Sequence, residues 1–181
     1  MKFTHLVQIN DPLNPLIDTL SRAQLWNGLR LRAEDPVQFV IGLDSCRVIQ
    51  RAEHELLREL RFGQLTVRDR VIFAPMRHVR YEVEAAGPVP AATLITTIEE
   101  PEPDQYFVRF EYDTKAVEGG EPVDPFYQQF MKEAYKEADI DAIRIIRRLV
   151  TEGKLDQADG QNENAAAARC GGQDSGGNPA A

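Results

Sequence analysis

Residues 54–74, HELLRELRFGQLTVRDRVIFA, set the register of the sheet that the chain is expected to form. Apolar and polar residues alternate on either side of Gly63 and Gln64, which is typical of two strands joined by a two-residue turn. If Phe62 pairs with Leu65, three further pairs share one face: Leu60 with Val67, Arg58 with Asp69 and Leu56 with Val71. Four of these last six residues are apolar, so we interpret this face as the inner one. It nevertheless carries an arginine opposite an aspartate.

Arg58 and Asp69 need an explanation, because burying an ion is costly unless it is paired and hydrogen-bonded. Extending the register through the next turn sets Asp69 opposite Tyr81. One interpretation of this row is a structural salt bridge, in which the Tyr81 hydroxyl bonds to the carboxylate. The other is a polar anchor that orients a ligand in an apolar cavity. The two interpretations can coexist.

Alternating runs without an intervening helix fill the middle of the chain, at 46–52, 54–62, 64–73, 76–85, 91–99 and 105–114. Such runs predict neighbouring strands of an antiparallel meander. The alternation at Lys2–Ile9 predicts one further strand before them. In the last hairpin, pairing Ile98 with Tyr106 places three more pairs on the inner face: Thr96 with Val108, Leu94 with Phe110 and Ala92 with Tyr112.

The segment after the first strand predicts two short helical elements. Ser21 and Gln24 have the spacing of a capping box, which marks the start of a helix. Apolar residues then recur at helical spacing until Pro36, which ends the pattern. We therefore expect a helix over 21–34 and a short helical turn over 36–39.

The end of the patterned region predicts one long helix. Asp124 is a favourable N-cap residue, Pro125 suits the first helical position, and the pattern continues to Gly153. A helix of about 28 residues would be ~42 Å long. The sheet must cover its apolar stripe, which is expected to consist of Tyr127, Met131, Ala134, Ala138, Ala142, Ile145 and Leu149.

This order of elements resembles the helix-grip fold of the START and Bet v 1 superfamily. Six segments resemble the AtaL-like family of that superfamily more closely: QINDPLNPL (8–16), LRAEDP (31–36), RELRFG (58–63), TVRDRV (66–71), IEEPEP (98–103) and AYKEADID (134–141). The resemblance spans about residues 1–151. It implies an α+β fold with a curved seven-stranded antiparallel sheet around the C-terminal helix, and two short helical segments after the first strand. It also implies a mostly apolar cavity, but the family supplies no established catalytic residues to carry over, so a site must be argued from this sequence.

The first functional hypothesis is a protein that binds a hydrophobic small molecule in that cavity. Candidate ligand-binding residues on the inner face and the helices are Trp26, Arg58, Asp69, Tyr81, Thr96, Phe110, Tyr112, Tyr127, Met131 and Tyr135. For Trp26 and the residues of the long helix, packing in the core is the alternative explanation.

The second hypothesis is an enzyme that performs a cyclisation, isomerisation or elimination on a hydrophobic metabolite. Asp69 would be the base, Arg58 would stabilise an oxyanion and Tyr81 would be the acid. The arginine beside Asp69 argues against this role, because it stabilises the carboxylate and weakens it as a base. A third hypothesis is a protein-interaction module without a small ligand.

Composition excludes several other classes of function. A net charge of -8 and a pI of about 5.0 provide no attraction to nucleic acid. No apolar run approaches the ~18–20 residues of a membrane span. The two cysteines, Cys46 and Cys170, form no metal-binding pair, and His5, which has the inward parity of its strand, has no second metal ligand beside it. We expect a cytoplasmic protein with no metal, no cofactor, no membrane span and no nucleic-acid partner.

Two further expectations concern the end of the chain. Residues 153–181 are acidic, rich in Gly and Ala and poor in apolar residues, so we expect a disordered tail after a ligand-binding domain at 1–152. Ile140, Ile143 and Val150 lie away from the main stripe of the long helix. They would form an exposed apolar strip, which is a candidate homodimer contact.

Overall fold

Seven strands form one antiparallel sheet in the computed structural model, which describes residues 1–115 and 124–156. The strands are β1 (Lys2–Gln8), β2 (Ser45–Ala52), β3 (Glu55–Phe62), β4 (Leu65–Ala74), β5 (His78–Val83), β6 (Ala92–Glu102) and β7 (Gln105–Thr114). Their order is β1-β7-β6-β5-β4-β3-β2, which confirms the predicted meander and places β1 beside β7. Beyond Asp156, the predicted tail lies outside the described residues, as does Cys170.

The described helical elements are α1 (Arg22–Glu34), a 3-10 turn (Pro36–Gln38) and α2 (Pro125–Thr151). The Ser21 hydroxyl accepts a hydrogen bond from the Gln24 backbone N–H, and the Gln24 side chain accepts one from the Ser21 backbone N–H. This is the predicted capping box. At the start of α2, the Asp124 carboxylate accepts from the Phe126 N–H. The α+β fold, with a curved sheet and a long C-terminal helix, is confirmed.

The hairpin of β3 and β4 has the predicted register, with Arg58 opposite Asp69. The predicted register of β4 with β5 is wrong by two residues, because Asp69 pairs with Val83 and Tyr81 pairs with Val71. A shift of two preserves the alternation of faces. Tyr81 therefore keeps its inward direction, but it lies two residues along the sheet from the position opposite Asp69.

Both differences in register arise at turns. In the β4–β5 turn, Ala74 pairs with His78, so the three-residue loop begins one residue later than predicted and the register shifts by two. The predicted register of β6 with β7 is also wrong by two residues, since Ile98 pairs with Val108. A bulge within Glu99–Glu102 causes this shift. It contains a proline, which has no N–H to contribute to the ladder.

The predicted apolar stripe of α2 is wrong over much of its length. Ala134 and Ala138 are exposed, and Tyr127 is 54% exposed. Alanine buries little apolar area, so the sheet covers the face with the larger side chains instead. The buried residues of α2 are Asp139, Ala142, Ile143, Ile146 and Leu149. Because Ile143 lies in the core and Val150 packs against it, the expected exposed strip does not form and the homodimer prediction loses its basis.

The packed part of the chain continues past residue 152. Leu155 belongs to the hydrophobic core, and its carbonyl accepts a hydrogen bond from the Asn27 side chain at 3.0 Å. The Gln24 side chain donates to the Asp156 carboxylate at 2.7 Å. These contacts attach the segment after α2 to α1.

Candidate ligand-binding site

The inner face of the sheet carries a buried ion pair. Arg58 and Asp69 are each 3% exposed. Arg58 Nε donates to Asp69 Oδ1 at 2.9 Å and Nη2 donates to Oδ2 at 2.5 Å, while Nη1 donates to the backbone carbonyl of Ala33 near the end of α1. Burial alone would lower the pKa of Arg58, but the hydrogen bond to Asp69 and its charge hold that pKa above its usual value. The predicted pair is formed, and both of its members are satisfied.

Tyr81 lies on the same face, but its hydroxyl has no hydrogen-bond partner among the described residues. The residue is only 7% exposed. The Arg58 guanidinium carbon lies 5.5 Å from the centroid of the Tyr81 ring, a cation–π contact. The prediction that this hydroxyl bonds to Asp69 is wrong, because the register differs and Arg58 binds both carboxylate oxygens. Burial raises the pKa of Tyr81, so the hydroxyl keeps its proton near neutral pH.

A second buried polar group forms around Asp139 of α2, which is fully buried. Arg32 Nη2 donates to Asp139 Oδ1 at 3.0 Å. The Tyr112 hydroxyl donates to Oδ2 at 2.7 Å, and His5 Nε2 lies 2.9 Å from the same oxygen. We call Arg32, Asp139, His5 and Tyr112 the Asp139 cluster. It connects β1 and α1, which lie in the first 34 residues of the chain, with β7 and α2, which follow residue 104.

Arg32 has a second buried nitrogen, Nη1, without a hydrogen-bond partner in the described part of the chain. Its guanidinium carbon lies 5.7 Å from the centroid of the Phe110 ring. Burial alone would lower the pKa of Arg32, but Asp139 holds that pKa above its usual value, so the guanidinium stays charged. Burial, reinforced by Asp139, raises the pKa of Tyr112. Tyr81 and Arg32 thus each keep one unused hydrogen-bonding group inside a buried set that is otherwise paired.

Aromatic rings extend the Asp139 cluster along the inner face. Tyr112 stacks against both Phe3 and Tyr135, with centroid distances of 5.1 and 4.7 Å. His5 stacks on Phe110 at 5.0 Å. Three of the predicted site residues, Phe110, Tyr112 and Tyr135, therefore lie in or directly beside this cluster.

Other predicted site residues have contacts that packing explains. Trp26 is buried and meets the Phe73 ring edge-on, with a centroid distance of 6.3 Å. The Thr96 hydroxyl is buried and donates to a backbone carbonyl of β5 at 3.2 Å. Met131 is half-buried, and Tyr127 lies largely in solvent near the start of α2.

Sequence reasoning missed Arg32 and Asp139, because an isolated charged residue in a helix usually faces solvent. A signal was present in the spacing. Asp139 precedes Ile143 by four residues and Ile146 by seven, which places it on the face that these isoleucines bury. Arg32 follows the buried Leu29 by three residues. This spacing identifies Arg32 and Asp139 as inward-facing only once the buried face of each helix is known.

Residues 1–115 and 124–156 contain neither a group of three or more His, Cys, Asp and Glu side chains that could hold a metal ion nor a helix that is long and apolar enough to cross a membrane. An open depression is lined by residues such as Arg47, Glu59 and Thr66. It lies on the outer face of the sheet, since Glu59 is the neighbour of the inward-facing Arg58 in β3 and therefore points the other way.

The curved seven-stranded sheet and the long C-terminal helix define a helix-grip protein of the Bet v 1-like class. The ZhuI aromatase/cyclase from Streptomyces sp. R1128 is 15% identical with a TM-score of 0.55, over 83% of this chain and 95% of that one. One matching structure is the di-domain aromatase/cyclase StfQ from the steffimycin biosynthetic pathway, with 8% identity and a TM-score of 0.63 over 83% of this chain and 51% of that one. Ara h 8.0201 is 9% identical with a TM-score of 0.55, over 82% and 98%. At these identities the likeness shows the fold alone.

The sequence itself identifies the family. The family model of AtaL, described as acetylaranotin biosynthesis cluster protein L, matches residues 7–153. This chain therefore belongs to the AtaL family, which confirms the resemblance carried by the six segments quoted above. No curated protein sequence matches the chain.

Proposed function

We propose that this protein binds a hydrophobic small molecule between the inner face of the sheet and α2. The observation that supports the proposal is the pair of unused polar groups, the Tyr81 hydroxyl and Arg32 Nη1. Leaving a buried polar group without a hydrogen bond costs about 1–3 kcal/mol. A ligand that bonds to both groups would remove this cost, and the apolar residues around them would bind the rest of the ligand.

The nature of the related proteins supports a metabolite as the ligand. The family description refers to a biosynthesis cluster, and two of the similar structures are aromatase/cyclases, one of them from a biosynthetic pathway. An internal site for a hydrophobic biosynthetic intermediate or product agrees with both. Fold likeness alone does not determine a function, so the proposal depends on the residues of the inner face.

The contacts of Asp69 favour a ligand-binding function over the alternative function, an enzyme in which Asp69 is the catalytic base. Both carboxylate oxygens accept hydrogen bonds from Arg58. A carboxylate in such a bidentate pair is stabilised as the anion and is a weak proton acceptor. We therefore assign Arg58 and Asp69 a structural role beside the ligand.

Native mass spectrometry of the full-length protein, purified from the organism that makes it, tests the proposal. The intact mass is measured under native conditions and again after acid denaturation, and the released material is extracted into organic solvent and analysed by reversed-phase chromatography. We expect an additional non-covalent mass of roughly 150–600 Da, the size range of ligands that small-molecule sites bind. It should disappear on denaturation and be retained on the apolar column. The bare polypeptide mass, or a complex with another protein in place of a small molecule, would contradict the proposal.

A further inference from the structure

We propose that the ligand carries a carbonyl group, and that the Tyr81 hydroxyl and Arg32 Nη1 donate hydrogen bonds to its oxygen. This inference rests on the proposed function, since it specifies the chemistry of the ligand at the same site. Of the expected polar anchor, only Tyr81 keeps its role as a ligand contact. Arg32 takes the place of Arg58 and Asp69.

The hydrogen bonds of the two carboxylates show which kind of partner, donor or acceptor, Arg32 Nη1 lacks. Both oxygens of Asp69 accept from Arg58. One oxygen of Asp139 accepts from Arg32, and the other is bonded by Tyr112 and His5. Each carboxylate oxygen of this buried set thus already has at least one hydrogen-bond partner, and none of them bonds to Arg32 Nη1. An arginine nitrogen can only donate, so the partner that Arg32 Nη1 lacks is an acceptor.

The two unused groups belong to elements that meet over the inner face. Arg32 reaches inward from α1 and lies over the Phe110 ring of β7, whereas Tyr81 extends from β5, in the middle of the sheet. The Arg58 guanidinium that packs on the Tyr81 ring also donates to the carbonyl of Ala33, the residue that follows Arg32 in α1. Tyr81 therefore lies beside the end of α1 that carries Arg32. One acceptor oxygen placed between the two groups would receive both hydrogen bonds.

Charge balance favours a neutral oxygen over an anionic one. Arg32 is paired with Asp139, and Arg58 is paired with Asp69. These four buried side chains therefore add no net charge to the site. A carboxylate would bring an unbalanced buried charge, which is costly. A ketone or ester oxygen accepts two hydrogen bonds without that cost.

The test uses three naphthalene probes of nearly the same shape. 2-Acetylnaphthalene carries a ketone, 2-isopropenylnaphthalene replaces that C=O by C=CH₂, and 2-naphthoate carries a charged carboxylate. Their dissociation constants are measured by equilibrium dialysis against the full-length protein. The variants are Tyr81→Phe and Arg32→Lys, and Tyr106→Phe is the matched control. Tyr106 is an equally buried tyrosine that is placed elsewhere, and its hydroxyl interacts with Arg22 and Glu100.

We expect wild-type protein to bind the ketone about 10-fold more tightly than the alkene, which corresponds to a hydrogen-bonding gain of about 1.4 kcal/mol. The ketone should also bind more tightly than 2-naphthoate. Tyr81→Phe and Arg32→Lys should each reduce the preference for the ketone over the alkene, and Tyr106→Phe should retain it. Tyr81→Phe keeps the ring that packs on Arg58 and removes an unpaired hydroxyl, so this variant should fold and decides the question if Arg32→Lys does not fold.

Other results would overturn the inference in distinguishable ways. Equal binding of the ketone and the alkene would show that no residue of the site recognises the carbonyl oxygen, and it would leave the proposed hydrophobic site intact. A ketone preference that is retained in both variants would show that other residues bind the carbonyl oxygen. Tighter binding of 2-naphthoate than of the ketone would show that the site prefers an anionic group to a carbonyl group. If none of the probes binds up to its solubility limit, the inference fails, whereas the proposed function fails only if the native protein also carries no small molecule.

Discussion

All three guanidinium nitrogens of Arg58 donate hydrogen bonds inside the protein. Two of the bonds hold Asp69, and the third ties the sheet to the end of α1 through the Ala33 carbonyl. The pair is nearly solvent-free, so the cost of desolvation and the attraction between the charges are both large. The two members therefore depend strongly on each other.

We predict that Arg58→Met lowers the free energy of unfolding by about 3–5 kcal/mol, because it leaves the Asp69 charge buried without a partner. Arg58→Met combined with Asp69→Leu should be less destabilised than Arg58→Met alone, since neither charge remains. Urea unfolding followed by circular dichroism measures both values.

The matched control is Arg68→Met with Glu59→Leu, a pair directly opposite each other on the outer face of the same two strands. Arg68 is 57% exposed, so each of these changes should alter stability by less than about 1 kcal/mol. If the effects of Arg58→Met and Asp69→Leu simply added, the inner pair would not be coupled in the way its geometry indicates.

At the scale of the elements, the contact between the two helices requires a glycine. Gly28 is buried in α1, and a Cβ atom at this position would lie 2.5 Å from Ile146 Cγ2 and 2.8 Å from Cγ1. Ile146 is branched at Cβ and fully buried, so it has little freedom to move away. The absence of a side chain at Gly28 therefore sets how closely α1 approaches α2, and with it the approach of Arg32 to Asp139.

We predict that Gly28→Ala destabilises the protein by about 1–3 kcal/mol through overpacking, although alanine is the better helix former by roughly 0.5–1 kcal/mol. In the background of Ile146→Ala, which removes the clashing atoms, the same substitution should cost much less. Chemical denaturation of the wild type, both single variants and the double variant measures this coupling. The same loss in both backgrounds would show that the helix contact does not depend on this close approach.

At the scale of the whole molecule, the C-terminal end of α2 closes one side of the core. Leu155 packs into that core after α2 has ended, and the Asn27 side chain of α1 donates to its carbonyl. Complete burial of a leucine side chain contributes about 1.5–3 kcal/mol. A chain that ends at the expected domain boundary, after residue 152, lacks Leu155 and therefore lacks this contact.

We therefore predict that a chain ending at Glu152 melts several degrees below the full-length protein, since about 1 kcal/mol corresponds to ~2–4 °C for a chain of this size. A chain ending at Asp156 should melt at the same temperature as the full-length protein. Thermal unfolding followed by circular dichroism compares the three lengths. Equal melting temperatures for the Glu152 and Asp156 chains would show that Leu155 contributes nothing to stability.

The predicted elements agree with the described structure in kind and order, because the signals that specify them are local. Alternation along β3 and β4 places Arg58 and Asp69 on one face, and the Ser21 capping box marks the start of α1. Registers across the longer turns were wrong by two residues. A loop that begins one residue later, or a bulge beside a proline, changes the pairing without changing the alternation.

The sequence by itself determined the strands, the helices, the inward direction of the residues paired along β3 to β7 and the Arg58–Asp69 pair. Only the tertiary structure decided that His5, Arg32, Tyr112 and Asp139 meet, because they come from four elements that are separated by up to 134 residues. Their contact depends on β1 pairing with β7 and on the close approach of the two helices. Both are results of packing, and no local pattern of residues encodes them. The same packing leaves Tyr81 and Arg32 with the unused hydrogen-bonding groups from which we infer the ligand.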